Sequence, residues 1–339
     1  MKSKETFNYT IFADCGAPSL YNKLSRKVEK KGVMGSSFSE RKFDDFSYTE
    51  KPEYAAYRDS YIEFLLLNKE KIDHYSNLDV INNPELTYKN QRILEEAGLK
   101  PHPVYHLGTD VKWLKRYLDK YEYIAIGGLI PNPTRVLIPI LDEMFKKYLT
   151  DEKGFPRVKL HGFACTSMPL MLRYPWYSVD STTCRKLAIY GGIVVPEFST
   201  DKLHTISISA RDTPLEKKVP PVVLREMDRR MKMYGMSAES LSQKAIERAA
   251  WNYLIFSEKL KKLLPKWPWS MLDRKSKEDA TELLTFYFAG VLSLKEETAF
   301  WEILSDKGLS DVRGRLQSFF YKTQLQQAID LKINNQNKK

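Results

Sequence analysis

Polar side chains that could transfer protons or form covalent bonds stand at the ends of several predicted strands. Asp14 ends the first apolar run, Asp79 lies in the second, and Asp180 ends the sixth. His106 and His161 end the third and fifth runs. Carboxylates and histidines are the usual nucleophiles, general acids and general bases of enzymes. If these strand ends meet on one face, the sequence predicts an active site built from these five residues.

Each of these residues also has a structural interpretation. An aspartate at a strand end commonly caps the next helix or turn, and a single buried histidine is more often a packed core residue than a catalyst. Cys15 and Cys165, which neighbour these positions, are expected to be small packing residues. Gly127 and Gly128 follow the fourth run and would let the backbone approach a flat ligand closely. The functional interpretation therefore depends on the whole set and its order.

The elements that must position these residues follow an alternating pattern. Apolar strands separated by helices are typical of a parallel sheet covered by helices, and eight strands favour a TIM-like (β/α)₈ barrel. Catalytic residues of such barrels lie at the carboxyl ends of the strands. Helices are predicted between the strands at 53–68, 84–97, 110–119 and 133–149. The predicted strands are 7–13, 78–82, 102–106, 123–127, 158–161, 176–179, 192–196 and 205–209.

The remaining segments divide the chain into regions. Residues 1–213 are predicted to form the barrel, with a long polar connection at 21–51 that is either a lid or a disordered insertion. Residues 214–330 are predicted to form a basic helical extension, and residues 331–339 a disordered tail. Within the extension, apolar residues at helical spacing predict helices at 222–234, 237–264, 277–292 and 295–304.

The charge of the chain is distributed unevenly. The formal net charge is +11, and residues 214–339 carry 23 basic and 16 acidic side chains. A basic surplus favours a polyanionic partner, nucleic acid above all, although it also serves solubility. Hydrophobic residues make up 42% of the chain, which is enough for a packed core and excludes wholesale disorder.

The cysteines and the apolar runs indicate in which compartment the protein works and whether it binds a metal. The three cysteines have no CxxC spacing, so neither a disulfide framework nor a cysteine-ligated zinc site is expected. No apolar run approaches the length of a membrane helix, and the first residues lack a signal-peptide pattern. We therefore expect a cytoplasmic protein with no membrane association and no metal.

The order of these segments resembles that of the tRNA-guanine transglycosylase superfamily, whose members are TIM barrels that exchange guanine for a 7-deazaguanine base. The resemblance spans roughly residues 7–196. The segment HGFACTSMPLMLRYPWYSVDST is similar to the short phage-type members, which act on DNA. The matching segments in chain order are Asp14-Cys15-Gly16-Ala17, Asp79, Gly127-Gly128-Leu129, His161-Gly162-Phe163 and Tyr177-Ser178-Val179-Asp180-Ser181-Thr182.

The resemblance implies a role for each site residue. Asp180 would be the nucleophile that attacks the sugar, and Asp14 would be the general acid and base. Asp79 would accept hydrogen bonds from the guanine edge, in a pocket lined by Gly127 and Gly128. His106 or His161 would read the exocyclic oxygen or orient a carboxylate. No cofactor is implied, and the incoming base would be a 7-deazaguanine such as 7-cyano-7-deazaguanine.

The chain also departs from the family pattern. The CxCxxC zinc motif of the tRNA enzymes is missing, His106 stands where they have a glutamine, and the Asp14 motif is half matched. These differences favour a divergent branch that acts on DNA. The alternatives are a tRNA substrate, a non-catalytic nucleic-acid-binding barrel or partner subunit, and a TIM-barrel enzyme of small-molecule metabolism. A homodimer is compatible with each, and a phage-encoded member would work in the host cytoplasm.

Overall fold

The computed structural model describes residues 11–25, 45–130, 132–152, 154, 156–165, 167–196, 203–208, 217–263 and 285–288. Within these ranges the chain forms a mixed α/β fold with parallel sheets, as the alternating pattern predicts. No helix of the described ranges combines the length and the apolar character that crossing a membrane requires.

The strands of the described chain form parallel sheets and one hairpin. They are β1 (Phe12–Ala13), β2 (His74–Tyr75), β3 (Val104–His106), β4 (Tyr123–Gly127), β5 (Lys159–Gly162), β6 (Ser178–Ser181), β7 (Gly192–Pro196), β8 (Leu203–Ser207) and β9 (Thr285–Phe288). β1 pairs with β2, and β3-β4-β5-β6-β9 form a five-stranded sheet. All of these pairs are parallel, and a parallel bridge from Ser76 to His102 continues from β2 towards β3. The carboxyl ends of these strands therefore lie along one edge, the carboxyl edge.

Helices follow most of the strands. They are α1 (Ala17–Leu24), α2 (Pro52–Asn68), α3 (Pro84–Glu96), α4 (Val111–Lys120), α5 (Thr134–Met144), α6 (Met168–Arg173), α7 (Thr183–Ile189), α8 (Pro221–Met233), α9 (Ala238–Gln243) and α10 (Ala245–Leu263). A 3₁₀ turn precedes α2 at Ser47–Glu50, and a π-helical turn continues α5 at Phe145–Leu149.

Local sequence signals explain several helix ends. The side chain of Asn83 accepts a hydrogen bond from the Leu86 N–H, and Pro84 occupies the first turn of α3. Gly98 ends that helix with φ +81°, which a glycine adopts without strain. Ser237 and Ser240 form a reciprocal capping box at the start of α9. The four helices predicted between the strands are confirmed to within two residues at each end when the π-helical turn at Phe145–Leu149 is counted with α5.

The second strand lies earlier than predicted. Residues 78–82 form a connection instead, which is buried at 78–80, and side chains of α3 bond the backbone of Leu78 and Val80. The Thr87 hydroxyl bonds both the N–H and the C=O of Val80, and the Asn90 amide donates to the Leu78 carbonyl. Because these groups already have partners, the apolar run needs no neighbouring strand, and Asp79 lies beyond β2 rather than within a strand.

The seventh and eighth runs, which were expected to be parallel strands, do not pair in parallel with each other. β7 and β8 pair antiparallel with each other. Six residues separate them along the chain, whereas a parallel crossover takes a dozen or more residues. β9 lies beside β6 instead, inside the segment 277–292 that was predicted to be helical. The described residues therefore show parallel sheets but not a closed eight-stranded barrel.

Other predictions fall partly outside the described residues. The predicted connection at 21–51 begins within α1, and residues 26–44 lie outside the description. The predicted helix 237–264 is present as α9 and α10. The helix predicted at 295–304 and the tail at 331–339 also lie outside the described residues.

The parallel strands curl around an aromatic cluster that is separate from the main core. Phe12 and Tyr123 are buried there, with Phe163 and Tyr177 packed against them. The Phe12 ring stacks on the His161 ring with their centroids 4.4 Å apart. A residue of β1 thus meets a residue of β5 across the inner face. The larger core lies between the outer face of the strands and the helices.

Helix α10 packs into that larger core through polar as well as apolar contacts. Asn252 is fully buried, and its side chain accepts from the Val194 N–H at 2.7 Å. Its amide donates to the carbonyls of Cys184 and Gly192, both at 3.1 Å. One side chain therefore joins α10 to α7 and β7.

Replacement of Asn252 by alanine is expected to lower the free energy of unfolding by about 3 kcal/mol, because buried backbone groups would lose their partner. Urea unfolding measures this change. Gln243→Ala is the matched control, because the Gln243 side chain is exposed on α9 and its hydrogen bond within the described part of the chain is to Glu239. A loss below about 1 kcal/mol for Asn252→Ala would show that this docking contact contributes little.

Candidate active site at the carboxyl edge

The structure places every predicted site residue at or near the carboxyl edge. Asp14 follows β1 directly, and Asp79 lies in the connection after β2. His106 and Gly127 are the last residues of β3 and β4, and Gly128 comes next. His161 lies in β5 and Asp180 in β6. The contacts gather these residues into two clusters.

The first cluster, the Asp79 cluster, consists of Cys15, Asp79, His106 and Gly127. The Cys15 thiol donates to Asp79 Oδ1 at 2.8 Å. His106 Nε2 lies 2.9 Å from Asp79 Oδ2, so each carboxylate oxygen has its own partner. Asp79 and His106 are 8% and 4% exposed, and a carboxylate buried to this degree is stable only when it is hydrogen-bonded. The structure thus brings together two predicted base-binding residues.

Both backbone polar groups of Cys15 are hydrogen-bonded to side chains. Its N–H donates to the Ser76 hydroxyl, and its C=O accepts from the Tyr57 hydroxyl at 2.6 Å. Burial raises the pKa of the Cys15 thiol well above its usual range, and the negative charges of Asp79 and Asp14 raise it further. The thiol therefore stays protonated and acts as a donor.

Gly127 and Gly128 leave space for the side chain of His106 and the backbone of Leu107. A Cβ on Gly127 would lie 2.9 Å from His106 Cδ2, closer than side chains approach. Gly128 has φ +80°, and a Cβ there would lie 3.0 Å from the Leu107 backbone nitrogen. Both glycines therefore allow β4 to lie close to the end of β3.

The second cluster, the Asp180 cluster, consists of Tyr123, His161, Ser178 and Asp180. His161 Nδ1 lies 2.6 Å from the Ser178 hydroxyl, which also hydrogen-bonds the Tyr123 hydroxyl. His161 Nε2 lies 3.5 Å from Asp180 Oδ1. The His161 ring is fully buried between Phe12 and Phe163, so its plane is fixed by packing.

The two oxygens of Asp180 have different surroundings. Oδ1 accepts a 2.6 Å hydrogen bond from the Ala164 N–H and faces His161. Oδ2 has no hydrogen-bond partner among the described residues, and the side chain is 20% exposed. Asp180 therefore has one anchored oxygen and one oxygen that can face a substrate.

Asp14 is half-buried at the end of β1, and its Oδ1 accepts from the Gly16 N–H at 3.3 Å. It lies close enough to Cys15 for its charge to raise the pKa of that thiol. Asp14 is therefore adjacent to the Asp79 cluster.

A cavity of about 470 Å³ opens between the connection after Asp79 and the connection after His106. This volume lies within the range of ordinary small-molecule sites. Its lining residues are Asn82, Pro84, Leu107, Gly108, Thr109 and Asp110.

Sequence reasoning missed three members of these clusters. Cys15 was expected to be a packing residue, and Ser178 and Tyr123 were not singled out. The alternation of side chains along a strand contains the signal for two of them, because Ser178 lies two residues before Asp180 and Tyr123 four before Gly127. The partner of Cys15 lies 64 residues away, so no local pattern identifies it.

Deeper on the inner face, a pair of histidines makes stability depend on pH. His74 Nδ1 lies 3.2 Å from His102 Nε2. Burial lowers the pKa of His102 from 6.5 to about 3, and the positive charges of His74, His161 and Lys159 contribute. The unfolded chain thus binds this proton at a higher pH than the folded chain. Its contribution to stability is complete above pH 6.5 and is lost as the pH falls towards 3.

Urea unfolding between pH 7 and pH 4 is expected to show this loss of stability. In His102→Gln the free energy of unfolding is expected to fall less steeply as the pH is lowered. Gln243→Ala, at an exposed position of α9, is the control and should keep the wild-type dependence of the unfolding free energy on pH. If the free energy of unfolding of His102→Gln falls with pH as steeply as that of the wild type, His102 is not the cause of the loss.

No protein-family model, no curated protein and no solved structure matches this chain.

Proposed function

We propose that this protein is a base-exchange transglycosylase that replaces guanine in DNA with a 7-deazaguanine derivative such as 7-cyano-7-deazaguanine. The observation that carries the proposal is the asymmetry of Asp180. Its Oδ1 is anchored by the Ala164 N–H, and its Oδ2 is left without a hydrogen bond among the described residues. A carboxylate fixed in this way can attack a sugar carbon along one direction.

The first half of the reaction breaks the bond between guanine and its sugar. Asp180 Oδ2 bonds to C1′ of the deoxyribose as the C1′–N bond breaks, and the departing guanine takes a proton from Asp14. The product is a glycosyl ester on Asp180. Retaining glycosidases use the same logic, with one nucleophilic carboxylate and a second group that moves the proton.

The second half repeats these steps in the opposite direction. The incoming 7-deazaguanine loses its ring N–H proton to Asp14, and that nitrogen attacks C1′ while the ester bond to Asp180 breaks. Both carboxyl groups return to their initial state. The exchange needs no oxidant, reductant or cofactor.

Base selection is assigned to Asp79. A carboxylate is an acceptor with about four lone-pair sites, so Asp79 can accept from the N–H groups of the guanine edge while it keeps Cys15 and His106. Adenine presents an acceptor at the corresponding ring nitrogen, so the lone pair that Asp79 offers there meets an acceptor instead of an N–H donor. Sites of this kind discriminate strongly between ligands.

DNA is proposed as the polymer because of the basic charge and its placement. Arg225, Arg229 and Lys232 are exposed on α8 at a spacing of four and three residues, which places them on one helix face. Such a row suits contacts to a phosphate backbone. The target nucleoside would leave the base stack before reaction, at a cost of a few kcal/mol. The same proposal places the protein in the cytoplasm.

Incorporation of radiolabelled guanine into duplex DNA, single-stranded DNA and tRNA tests the proposal, with Asp180→Ala measured in parallel. Label in DNA that disappears in the variant is the expected result. Label in tRNA alone would overturn the DNA assignment and leave the reaction class intact. No label in any polymer would overturn base exchange.

A further inference from the structure

We infer that Cys15 and His106 are positioning residues that orient the Asp79 carboxylate for a base edge with two adjacent N–H donors, and that Gly127 gives His106 the room to do so. The inference rests on the proposed function and deepens it.

The two partners fix the rotation of the Asp79 carboxylate. Cys15 Sγ occupies Oδ1 at 2.8 Å and His106 Nε2 occupies Oδ2 at 2.9 Å. Because the donors bind different oxygens, rotation about the Cβ–Cγ bond breaks both contacts at once. The lone pairs that remain on each oxygen then point in one fixed direction. A ligand with two parallel N–H groups fits such a pair of acceptors.

Cys15 suits this role although a thiol is a weak donor. The residue is fully buried, and its backbone is held by Ser76 and Tyr57, so the sulfur has little freedom to move. The raised pKa keeps the proton on the sulfur beside a carboxylate. The thiol thus binds Asp79 without adding a charge to the base site.

His106 reaches Asp79 only because residue 127 has no side chain. An added Cβ at Gly127 would lie 2.9 Å from Cδ2 and 3.3 Å from Nε2 of the His106 ring. Nε2 is the atom that contacts Asp79 Oδ2. Any side chain at 127 would push the ring away from the carboxylate.

The chemical class of the ligand follows from this geometry. Guanine and 7-deazaguanine both present a ring N–H next to an exocyclic amine, so both engage the two oxygens of Asp79. Hypoxanthine keeps the ring N–H and lacks the amine, so it leaves one oxygen without its ligand partner. The preference for guanine over hypoxanthine therefore measures how well the carboxylate is oriented.

The first experiment compares guanine and hypoxanthine binding by titration calorimetry in Cys15→Ala and Cys15→Ser. We expect Cys15→Ala to lower the guanine preference about tenfold or more, and Cys15→Ser, which restores a donor, to recover most of it. Cys184→Ser is the matched control, because Cys184 is equally buried in α7 and lies outside the cluster. An unchanged preference in Cys15→Ala would overturn the role of Cys15.

The second experiment is a double-mutant cycle between residues 106 and 127. Gly127→Ala alone should lower the guanine preference as strongly as His106→Ala, because it displaces the same ring. In the His106→Ala background the added methyl meets no ring, so Gly127→Ala should have little further effect. Equal effects of Gly127→Ala in both backgrounds would overturn the assignment.

These outcomes are separate from those of the exchange assay. Binding is measured without polymer, so a selective site that performs no exchange would overturn the proposed reaction and keep the inference. Exchange in the wild type, together with an unchanged guanine preference in Cys15→Ala, His106→Ala and Gly127→Ala, would overturn the inference and keep the proposed reaction. Absence of guanine binding in the wild type would overturn the inference.

Discussion

Replacement of Asp180 by asparagine is expected to lower the exchange rate by about 10⁴-fold or more, because the amide oxygen is too weak a nucleophile to bond C1′. The fold should tolerate this change. The amide keeps an oxygen that can accept from the Ala164 N–H, as Oδ1 does now. The substitution therefore removes the reactive charge and leaves the anchor in place.

Two measurements separate this role from a structural one. Wild-type protein incubated with DNA should give a protein–DNA adduct that survives denaturant, and Asp180→Asn should give none while its guanine affinity stays close to that of the wild type. Asp119→Asn is the control, because Asp119 is exposed on α4. An adduct of full yield in Asp180→Asn would show that another residue is the nucleophile.

Replacement of Asp14 by asparagine is expected to lower kcat by about 10²- to 10⁴-fold, because the leaving base would no longer receive a proton. The KM for the incoming base should change little, since Asp79 rather than Asp14 is assigned to the base edge. The Gly16 N–H that now bonds Asp14 Oδ1 keeps an acceptor in the variant.

Asp73→Asn is the matched control for this prediction. Asp73 Oδ2 accepts from the Ile11 N–H, so it supports the same strand from the other end. If Asp73→Asn lowers kcat as much as Asp14→Asn, the loss comes from displacement of β1 and not from the loss of an acid–base group. A rise in KM that matches the fall in kcat/KM for Asp14→Asn would assign Asp14 to binding instead.

Hydrophobic periodicity and capping residues were sufficient to locate most of the helices between the strands from the sequence. The helix at Pro84–Glu96 has a capping residue, a first-turn proline and a terminal glycine, all of which act within one turn of the chain. The strand at residues 78–82 was misplaced because an apolar run does not reveal what satisfies its backbone. Here Thr87 and Asn90 of the following helix do so.

The alternation of strands and helices, read from the sequence by itself, indicated that Asp14, His106, Gly127, His161 and Asp180 lie near one edge. It placed Asp79 within a strand, whereas Asp79 lies in the connection after β2. Parallel strands share a direction, so residues at their ends share an edge whatever their order. Only the tertiary structure decided which of these residues touch. The Cys15–Asp79, Asp79–His106 and His161–Asp180 contacts span 64, 27 and 19 residues, and the space for His106 depends on Gly127 in a different strand. Contacts between residues so far apart in the chain depend on how the strands pack against one another, and local sequence preferences do not specify them.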